Sequence, residues 1–177
     1  MKQDYYLLDT NILGYFAELK VGGNSPECEA LEKHWNGLPQ PQNTRIFLCP
    51  ITIGEVEYGL RVGPYDRPEQ HEQARQILAA FPVFDININI ARDCYADLRA
   101  KLFDKCAPKD RKTGKSCRKR IREWIDPTTD EKLQMDENDL WIASVAMAHN
   151  LVLVTHDKMN AIKNITGSDL RFEDWLT

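Results

Sequence analysis

The sequence predicts an α/β fold in which helices cover both faces of a mainly parallel central sheet. Short apolar runs alternate along the chain with longer segments of helical periodicity. The clearest runs, YYLLD at Tyr5–Asp9 and LVLVT at Leu151–Thr155, are almost wholly apolar, which is typical of strands buried on both faces. The 177 residues are 42% apolar and 28% charged, so we expect a single globular domain over 1–177.

The predicted strands and helices follow one another in a regular order. Strands are predicted at Tyr5–Asp9, Arg45–Cys49, Val83–Asn87 and Leu151–Thr155, with an edge strand or tail at Leu170–Leu176. Helices are predicted at Asn11–Lys20, Ser25–Leu38, Ile51–Leu60, Arg67–Phe81, Asn89–Phe103, Asp136–Asn150 and Asp157–Ile165. Ser25, which precedes a proline, and Asn89 are the predicted caps of their helices. A segment rich in Lys and Arg separates the fifth helix from the sixth.

The formal net charge of −4 conceals an uneven distribution of charge. The stretch from Arg99 to Arg122 contains eleven Lys or Arg residues and two acids, whereas the rest of the chain contains 12 basic and 25 acidic residues. This asymmetry suggests that the basic segment meets a polyanion. The alternative is a solvated surface segment whose charge balances the acidic body of its own domain.

The sequence also predicts where the protein works. No apolar run approaches the roughly 18 residues that a membrane-spanning helix needs, and Asp9 interrupts the first apolar stretch too early for a signal peptide. The five cysteines are odd in number and scattered along the chain. We therefore expect a cytoplasmic protein with free thiols and without a membrane partner.

Two acids follow two buried strands at equivalent places. Asp9 ends the first strand, and Asp157 comes shortly after Leu151–Thr155. Sites in open parallel sheets form beyond the carboxyl ends of the strands, so both side chains are expected at one edge of the sheet. The alternative is that each acid caps a helix or forms a turn, and this alternative suits Asp157 better than Asp9.

Asp139 and Glu55 are two further acids near the starts of helices. Asp139 shares a helix face with the apolar Ile142 and Ala146, so its carboxylate is expected to point inward. The alternative is that this acid only meets the helix dipole. Glu55 lies near the start of the helix that follows the second strand. Its alternative role is in a capping box in which Thr52 is the cap.

Four carboxylates at one edge would repel one another unless a cation neutralised them. Mg²⁺ and Mn²⁺ prefer carboxylate and water oxygens, and such sites commonly support hydrolysis of phosphoesters. The sequence has no glycine-rich phosphate loop, no HExxH motif and no cysteine spacing of the zinc type. His149 is interpreted as a structural residue in the last turn of a helix, and the role of His156 is left open.

Four motifs occur in a characteristic order: LLDTNIL, ITIGEVEYGL, ENDLWIASVAMAHNLVLVTHD and LRFEDW. In these motifs the chain resembles the PIN-domain nucleases, and among them the VapC-like toxins of type II toxin–antitoxin pairs. The resemblance implies a three-layer α/β/α fold and a ribonuclease that depends on Mg²⁺ or Mn²⁺. It places the acidic positions at Asp9, Glu55, Asp139 and Asp157. It also implies that supporting contacts, or contacts to metal-bound water, come from Thr10, Asn11 and Thr155.

The chain departs from this resemblance in three places. The stretch at about 104–136 is an insertion, and it contains most of the basic segment. Position 156 is His, where such toxins often carry Arg or another polar residue. Met159 and Asn160 stand where some members carry a further acid, which leaves open whether one or two ions bind.

The resulting hypothesis is a Mg²⁺- or Mn²⁺-dependent endoribonuclease that is the toxin of a toxin–antitoxin pair. Asp9, Glu55 and Asp139 would hold one ion, directly or through water. Asp157 would complete the site or help to hold a second ion, and a metal-bound water would attack the RNA phosphodiester in line. The expected partners are RNA and a small antitoxin protein, with a homodimer left open. The alternatives are a catalytically silent PIN-like module that binds RNA or protein, and a DNA-directed structure-specific nuclease.

The insertion carries the residues that are predicted to bind RNA phosphates beside an otherwise repelling acidic site. These residues are Lys109, Arg111, Lys112, Lys115, Arg118, Lys119 and Arg120. The affinity for RNA would then fall steeply with salt concentration. The alternative is that the same segment docks an acidic segment of the antitoxin.

Overall fold

The computed structural model describes residues 4–39, 45–63, 68–115 and 120–177. The strands in these ranges are β1 (Tyr6–Leu8), β2 (Ile46–Phe47), β3 (Val152–Val154) and β4 (Arg171–Glu173). They form one sheet in the order β2-β1-β3-β4, and every pairing is parallel. In the centre of the sheet Tyr6 pairs with Val152 and Leu8 with Val154. β4 is an edge strand within the stretch Leu170–Leu176, as the sequence predicted.

Helices surround this short sheet. The α-helices of the described ranges are α1 (Thr10–Lys20), α2 (Pro26–Gly37), α3 (Pro50–Val62), α4 (Pro68–Ala79), α5 (Ala96–Cys106), α6 (Glu137–Ala148) and α7 (Asn160–Thr166). A π-helical segment at Ile90–Tyr95 leads into α5, and 3-10 turns lie at Ile121–Glu123 and Gly167–Asp169. Crossing a bilayer takes a long apolar helix, and the described part of the chain contains none.

The sheet separates two apolar cores because successive residues of a strand face opposite sides. Leu7 and Leu153 belong to the core that α5, α6 and α7 cover. Leu8 and Val154 belong to the core that α1, α2 and α4 cover. The arrangement has three layers, so the predicted α/β/α fold with a parallel sheet is confirmed.

The predicted strand at Val83–Asn87 is wrong. Val83 forms a single parallel bridge with Leu48, and no ladder follows it. The chain then turns, because Asn87 Oδ1 accepts hydrogen bonds from the backbone N–H groups of Asn89 at 3.0 Å and Ile90 at 3.1 Å. Asn89 itself makes no side-chain cap hydrogen bond. The side chain that caps this helix therefore comes from Asn87, two residues before the predicted cap.

The segment at about 104–136, which is predicted to be an insertion, is anchored in the core on the side of α5 and α6. Its described buried apolar side chains are at most 6% exposed and are those of Cys106, Ile121, Trp124, Leu133 and Met135. The backbone N–H of Ile125 donates to the carbonyl of Cys106 at the end of α5, at 3.0 Å. The described part of the insertion thus shares the core of the domain, while its described Lys and Arg residues are exposed.

Candidate metal centre

Asp9 lies where β1 ends and α1 begins. Its backbone N–H donates to the Val154 carbonyl of the neighbouring strand at 2.9 Å. Its Oδ1 caps α1 by accepting from the Thr10 N–H at 2.7 Å. Its Oδ2 accepts from the Thr155 hydroxyl at 2.6 Å and from Asn11 Nδ2 at 3.4 Å. Asp9 is only 3% exposed, so a buried carboxylate is held by donors from α1 and from the residue after β3.

Thr155 and Asn11 connect the turn after β3 to the start of α1. The Thr155 hydroxyl oxygen accepts from the backbone N–H of Asp157 at 3.1 Å. Asn11 Oδ1 accepts from the backbone N–H of His156 at 3.3 Å. These bonds hold Asp157 beside Asp9, although 148 positions separate the two residues in the sequence.

Asp139 lies in the first turn of α6 and does two things at once. Its Oδ2 accepts from the backbone N–H of Asp136 at 2.6 Å, while Asp136 Oδ1 accepts from the Asn138 N–H at 3.0 Å. The Asp136 side chain also accepts from the backbone N–H of Asp139, which completes the capping box of α6. The same carboxylate also faces Asp9. The carboxylate thus combines the predicted inward orientation with a role in the capping box, which was not predicted for Asp139.

Asp9, Asp139 and Asp157 form an acidic cluster. Each residue can offer one carboxylate oxygen, and these oxygens lie within 4.8 Å of one another. Asp9 is buried, Asp139 is half-buried and Asp157 is exposed, so the cluster opens to solvent on one side. Oxygens at such separations can share one hard divalent cation.

Glu55 lies beside this cluster and is held by two donors. The Thr10 hydroxyl donates to Oε2, and Asn138 Nδ2 donates to Oε1 at 2.7 Å. Thr10 is the neighbour of Asp9 in sequence and Asn138 is the neighbour of Asp139. Glu55 on α3 is therefore tied to both helices that carry the buried acids of the cluster.

The capping box of Thr52 and Glu55, the alternative role considered for Glu55, does not form. α3 begins at Pro50, whose missing N–H suits the first helical position, and the cap residue Cys49 makes no side-chain capping hydrogen bond to the helix backbone. Thr52 is inside the helix and completely buried, and its hydroxyl donates to the Leu8 carbonyl at 3.4 Å. The Glu55 side chain is consequently free of a capping role.

The buried carboxylates carry raised pKa values. Burial raises the pKa of Asp9 to about 6, although hydrogen bonds from Thr155 and Thr10 oppose the shift. Burial raises the pKa of Asp139 to about 7, and the negative charge of Asp9 adds to the increase. These shifts have the sign of carboxylates that lack a neighbouring cation. A divalent cation would stabilise their charged forms and displace their protons.

The cluster lines an open cleft of about 760 Å³. The other lining residues are Thr10, Asn11, Pro50, Ile51, Gly54, Glu55, Tyr58 and Asn138. None of these described residues is Lys or Arg, so no side chain of the lining neutralises the acids. A larger groove of about 920 Å³ lies between α1, α2 and α4, but Glu32 is its one lining carboxylate. The donor set that fits a divalent cation is the one in the cleft.

Two cleft residues with side chains that can form hydrogen bonds, Asn138 and Tyr58, are not among the predicted site residues. Asn138 directly precedes Asp139 in the sequence. Tyr58 was not considered, although it lies three residues after Glu55 and therefore on the same helix face. That spacing is the sequence signal that could have placed Tyr58 at the cleft.

The two histidines considered from the sequence lie outside the acidic cluster. His149 stacks on the Phe84 ring with centroids 3.9 Å apart, and burial lowers its pKa, which agrees with a structural role. His156 Nδ1 is 3.0 Å from Asp174 Oδ2.

The basic residues predicted to bind RNA lie on the surface of the insertion. Those in the described ranges are Lys109, Arg111, Lys112, Lys115 and Arg120, all exposed and none lining the cleft. Arg118 and Lys119 lie outside the described residues. Lys109 pairs with Asp104 at 3.2 Å. The other four form no ion pair with any described residue, so their charge is available to a partner.

A parallel α/β/α domain with an acidic cluster beyond the carboxyl ends of its strands is an architecture for binding a divalent cation. The family model of the PIN domain matches residues 6–166, and the chain therefore belongs to the PIN domain family. The family resemblance seen in the motifs is confirmed. PIN domain proteins are generally nucleases and generally depend on divalent metals.

Solved structures with a similar fold include toxin–antitoxin proteins. VapBC2 from Rickettsia felis, bound to a promoter DNA fragment, is 22% identical, with 97% of this chain and 98% of that chain covered and a TM-score of 0.61. VapBC-1 from nontypeable Haemophilus influenzae is 23% identical, with 98% and 99% covered and a TM-score of 0.62. VapBC-5 from Mycobacterium tuberculosis, of the VapBC family of toxin–antitoxin systems, is 18% identical, with 96% of each chain covered and a TM-score of 0.52. The chain has no match among the curated proteins.

Proposed function

We propose that this PIN domain protein is an endoribonuclease that depends on Mg²⁺ or Mn²⁺ and is the toxin of a toxin–antitoxin pair. The proposal is carried by the cluster of Asp9, Asp139 and Asp157, whose oxygens lie within 4.8 Å of one another in a fold whose relatives are generally nucleases. A bound divalent cation would supply charge neutralisation at the phosphodiester and would lower the pKa of water.

Asp9 and Asp139 are the main ligands in this proposal because both carboxylates are already fixed. Thr155 holds the Oδ2 of Asp9, and the backbone N–H of Asp136 holds that of Asp139. Carboxylates fixed in advance need little reorganisation when the cation arrives. Asp157 lies on the exposed side and completes the site next to the substrate.

Glu55 acts from beside the cluster in this proposal. Both of its oxygens accept hydrogen bonds, from Thr10 and from Asn138, which turns the carboxylate along the cleft. A carboxylate with remaining lone pairs in this position can orient a water molecule and accept its proton. Glu55 would therefore contribute to the site through water.

The insertion supplies the phosphate contacts that the cleft lacks. Arg111, Lys112, Lys115 and Arg120 are exposed cations without a described ion-pair partner. The insertion runs directly into Asp136, the cap of α6 and a neighbour of Asp139. We therefore assign to it the binding of RNA phosphates that flank the cleavage site, rather than the docking of an acidic antitoxin segment.

The main experiment is cleavage of total RNA and of matched DNA with Mg²⁺ or with a chelator. The wild type is expected to cut RNA only with the metal, and Asp9→Asn is expected to abolish cleavage while circular dichroism shows an unchanged fold. Asp85→Asn is the matched control, since this exposed acid lies away from the cleft. Undiminished cleavage by Asp9→Asn would refute the assignment. Preferential cleavage of DNA would favour a DNA-directed nuclease, and no cleavage at all would favour a silent binding module.

The phosphate contacts are tested by RNA binding at several salt concentrations in the Asp9→Asn background. Arg111→Gln with Lys112→Gln should make the salt dependence shallower by roughly 0.7 log units per lost contact. Lys20→Gln with Lys33→Gln removes the same charge from α1 and α2 and should leave the slope unchanged. Equal slopes in the two double variants would show that the insertion does not bind phosphates.

The antitoxin, the oligomeric state and the location complete the proposal. Toxin–antitoxin proteins are among the similar folds, which supports a small partner protein encoded next to this chain. Co-expression of the two should yield a complex that suppresses RNA cleavage, and a neighbour that neither binds nor inhibits would count against the toxin role. Light scattering decides between monomer and homodimer. The proposed location is the cytoplasm, where the RNA substrate is found.

A further inference from the structure

Tyr58 is an aromatic residue of the cleft that has no role in the site described above. It is 68% exposed, and it lines the cleft together with the acidic cluster. No hydrogen bond or ring contact joins its side chain to another described residue. Its ring is therefore open to an incoming molecule.

The space next to this ring is open. Gly54 lies one helical turn before Tyr58 and lines the same cleft. A Cβ added at Gly54 would meet nothing within 4 Å. Pro50 and Ile51 continue the lining towards the start of α3 with apolar side chains. Glu55 is the one charged α3 residue of the lining, and Thr10 and Asn138 hold its carboxylate on the side of the acidic cluster.

The charge of the cleft decides which part of a nucleic acid can bind on this wall. The lining holds four carboxylates and no Lys or Arg, so the cleft would repel a phosphate everywhere except beside the bound cation. A nucleobase carries no charge and presents a flat face. Aromatic side chains bind such faces by stacking, with any of the four bases.

We propose that Tyr58 is the stacking platform for one nucleobase next to the scissile phosphodiester. This inference rests on the proposed nuclease function and specifies its substrate class. A base can stack on a side chain only when it is splayed out of a duplex. The substrate is therefore RNA with an unpaired nucleotide at the cleavage site, such as a single strand or a loop.

A protein contact on α3 is the competing explanation for the exposed ring. Val62 lies one turn after Tyr58, is 64% exposed and does not line the cleft. A partner protein on this face of α3 would cover both residues, whereas a nucleobase in the cleft would reach only Tyr58. Val62→Ala is thus the matched control.

The test uses a short single-stranded RNA that the wild type cuts at one mapped bond, and copies with an abasic nucleotide on either side of that bond. Tyr58→Ala should lower kcat/KM on the intact RNA by about tenfold, mainly through KM. On one of the abasic RNAs the variant and the wild type should be equal, because neither can stack. Tyr58→Phe should keep the wild-type rate, and so should Val62→Ala on every substrate.

Three results would overturn the proposal. These are an equal loss of kcat/KM for Tyr58→Ala on intact and on both abasic RNAs, a similar loss for Val62→Ala, and a changed oligomeric state of Tyr58→Ala in light scattering.

Fluorescence anisotropy measures RNA binding without cleavage, so it tests stacking separately from the nuclease proposal. In the Asp9→Asn background, added Tyr58→Ala should weaken binding of intact RNA but not of that abasic RNA. Equal binding of the intact RNA by both proteins would reject stacking even if no cleavage is ever seen.

Discussion

The acidic cleft and the basic insertion are built in opposite ways. The acids of the cleft come from distant parts of the chain, and bonds such as that from Thr155 to Asp9 bring them together. The turns of the insertion are local, since Asp110 Oδ1 accepts from the backbone N–H groups of Lys112 and Thr113 at 3.0 and 2.8 Å. Tertiary structure therefore concentrates negative charge in the cleft, whereas the order of residues alone concentrates positive charge in the insertion.

The carboxylates of the two regions differ in the same way. Burial raises the pKa of Asp9 and Asp139. Hydrogen bonds from Thr113 and from the Lys112 backbone lower the pKa of Asp110, which is exposed. The turn of the insertion thus stabilises the charged form of Asp110, whereas burial disfavours the charged forms of Asp9 and Asp139 despite the hydrogen bonds that they accept. The two regions therefore suit ligands of opposite charge, which are a cation in the cleft and an anion such as a phosphate on the insertion.

The largest effect is expected from an acid-to-amide change in the cleft. The same change in the insertion is its control. Asp139→Asn keeps the size of the side chain but removes a charged ligand from the cluster, so metal-dependent cleavage should fall by at least about a hundredfold. Asp110→Asn makes the same chemical change in the insertion and should leave the rate within about twofold. Initial cleavage rates at saturating Mg²⁺ measure both, and similar losses would break the contrast between the regions.

The anchoring of the insertion predicts a large effect on stability. Trp124 is 2% exposed and packs edge-on against Phe103 with centroids 5.8 Å apart. Trp124→Ala should lower the free energy of unfolding by about 3–5 kcal/mol because it leaves a cavity in the shared core. Ile88→Ala, at a residue 77% exposed, should change it by less than about 0.5 kcal/mol. Urea denaturation measures both values. A silent Trp124→Ala would mean that the insertion is an independent appendage.

The raised pKa values predict how stability depends on pH without metal. A carboxyl whose folded pKa lies above its unfolded pKa contributes stability that is complete below the unfolded pKa and is lost as pH rises through the folded pKa. For Asp9 and Asp139 that loss falls between about pH 4 and pH 7, with a size on the order of 3 kcal/mol for Asp9.

Thermal unfolding in a chelator measures this pH dependence. The midpoint should fall between about pH 4 and pH 7, and Mg²⁺ should reverse the fall, because binding to the folded state alone adds stability. Asp139→Asn should flatten the profile. Asp110→Asn should not flatten it, since the lowered pKa of Asp110 acts in the opposite direction and at lower pH. A midpoint that rises with pH in the wild type would contradict the assignment.

The smallest effect is expected at the residue that holds Glu55. Asn138→Ala removes the 2.7 Å bond to Glu55 Oε1, so the carboxylate loses one of its two fixed contacts. We expect kcat to fall by about tenfold with KM unchanged, and the acidic limb of the pH–rate profile to move. Gln134→Ala changes an exposed amide of the insertion and should leave both parameters unchanged. A pH–rate profile of Asn138→Ala identical to that of the wild type would mean that Asn138 is not a positioning residue.

Much of the fold could be predicted because the signals are local. The apolar runs of β1 and β3 and the motif around Asp139 carry the periodicity of buried strands and of a helix that lies on the sheet. The predicted strand at Val83–Asn87 was wrong because a side-chain hydrogen bond sets the boundary there. Asn87 caps the π-helical segment, so the extended run ends after a single bridge. The alternative that Thr52 caps α3 is not realised, because Pro50 starts the helix before Thr52.

The sequence by itself determined the parallel α/β/α class, the order of the acids at the carboxyl ends of the strands and the charge of the insertion. These properties depend on residue type and on short periodicities, which the chain encodes directly. Only the tertiary structure decided that Asp9, Asp139 and Asp157 share a cluster while Thr10 and Asn138 hold Glu55 beside it. The reason is geometric, since distances between residues so far apart in the chain are set by packing across the sheet.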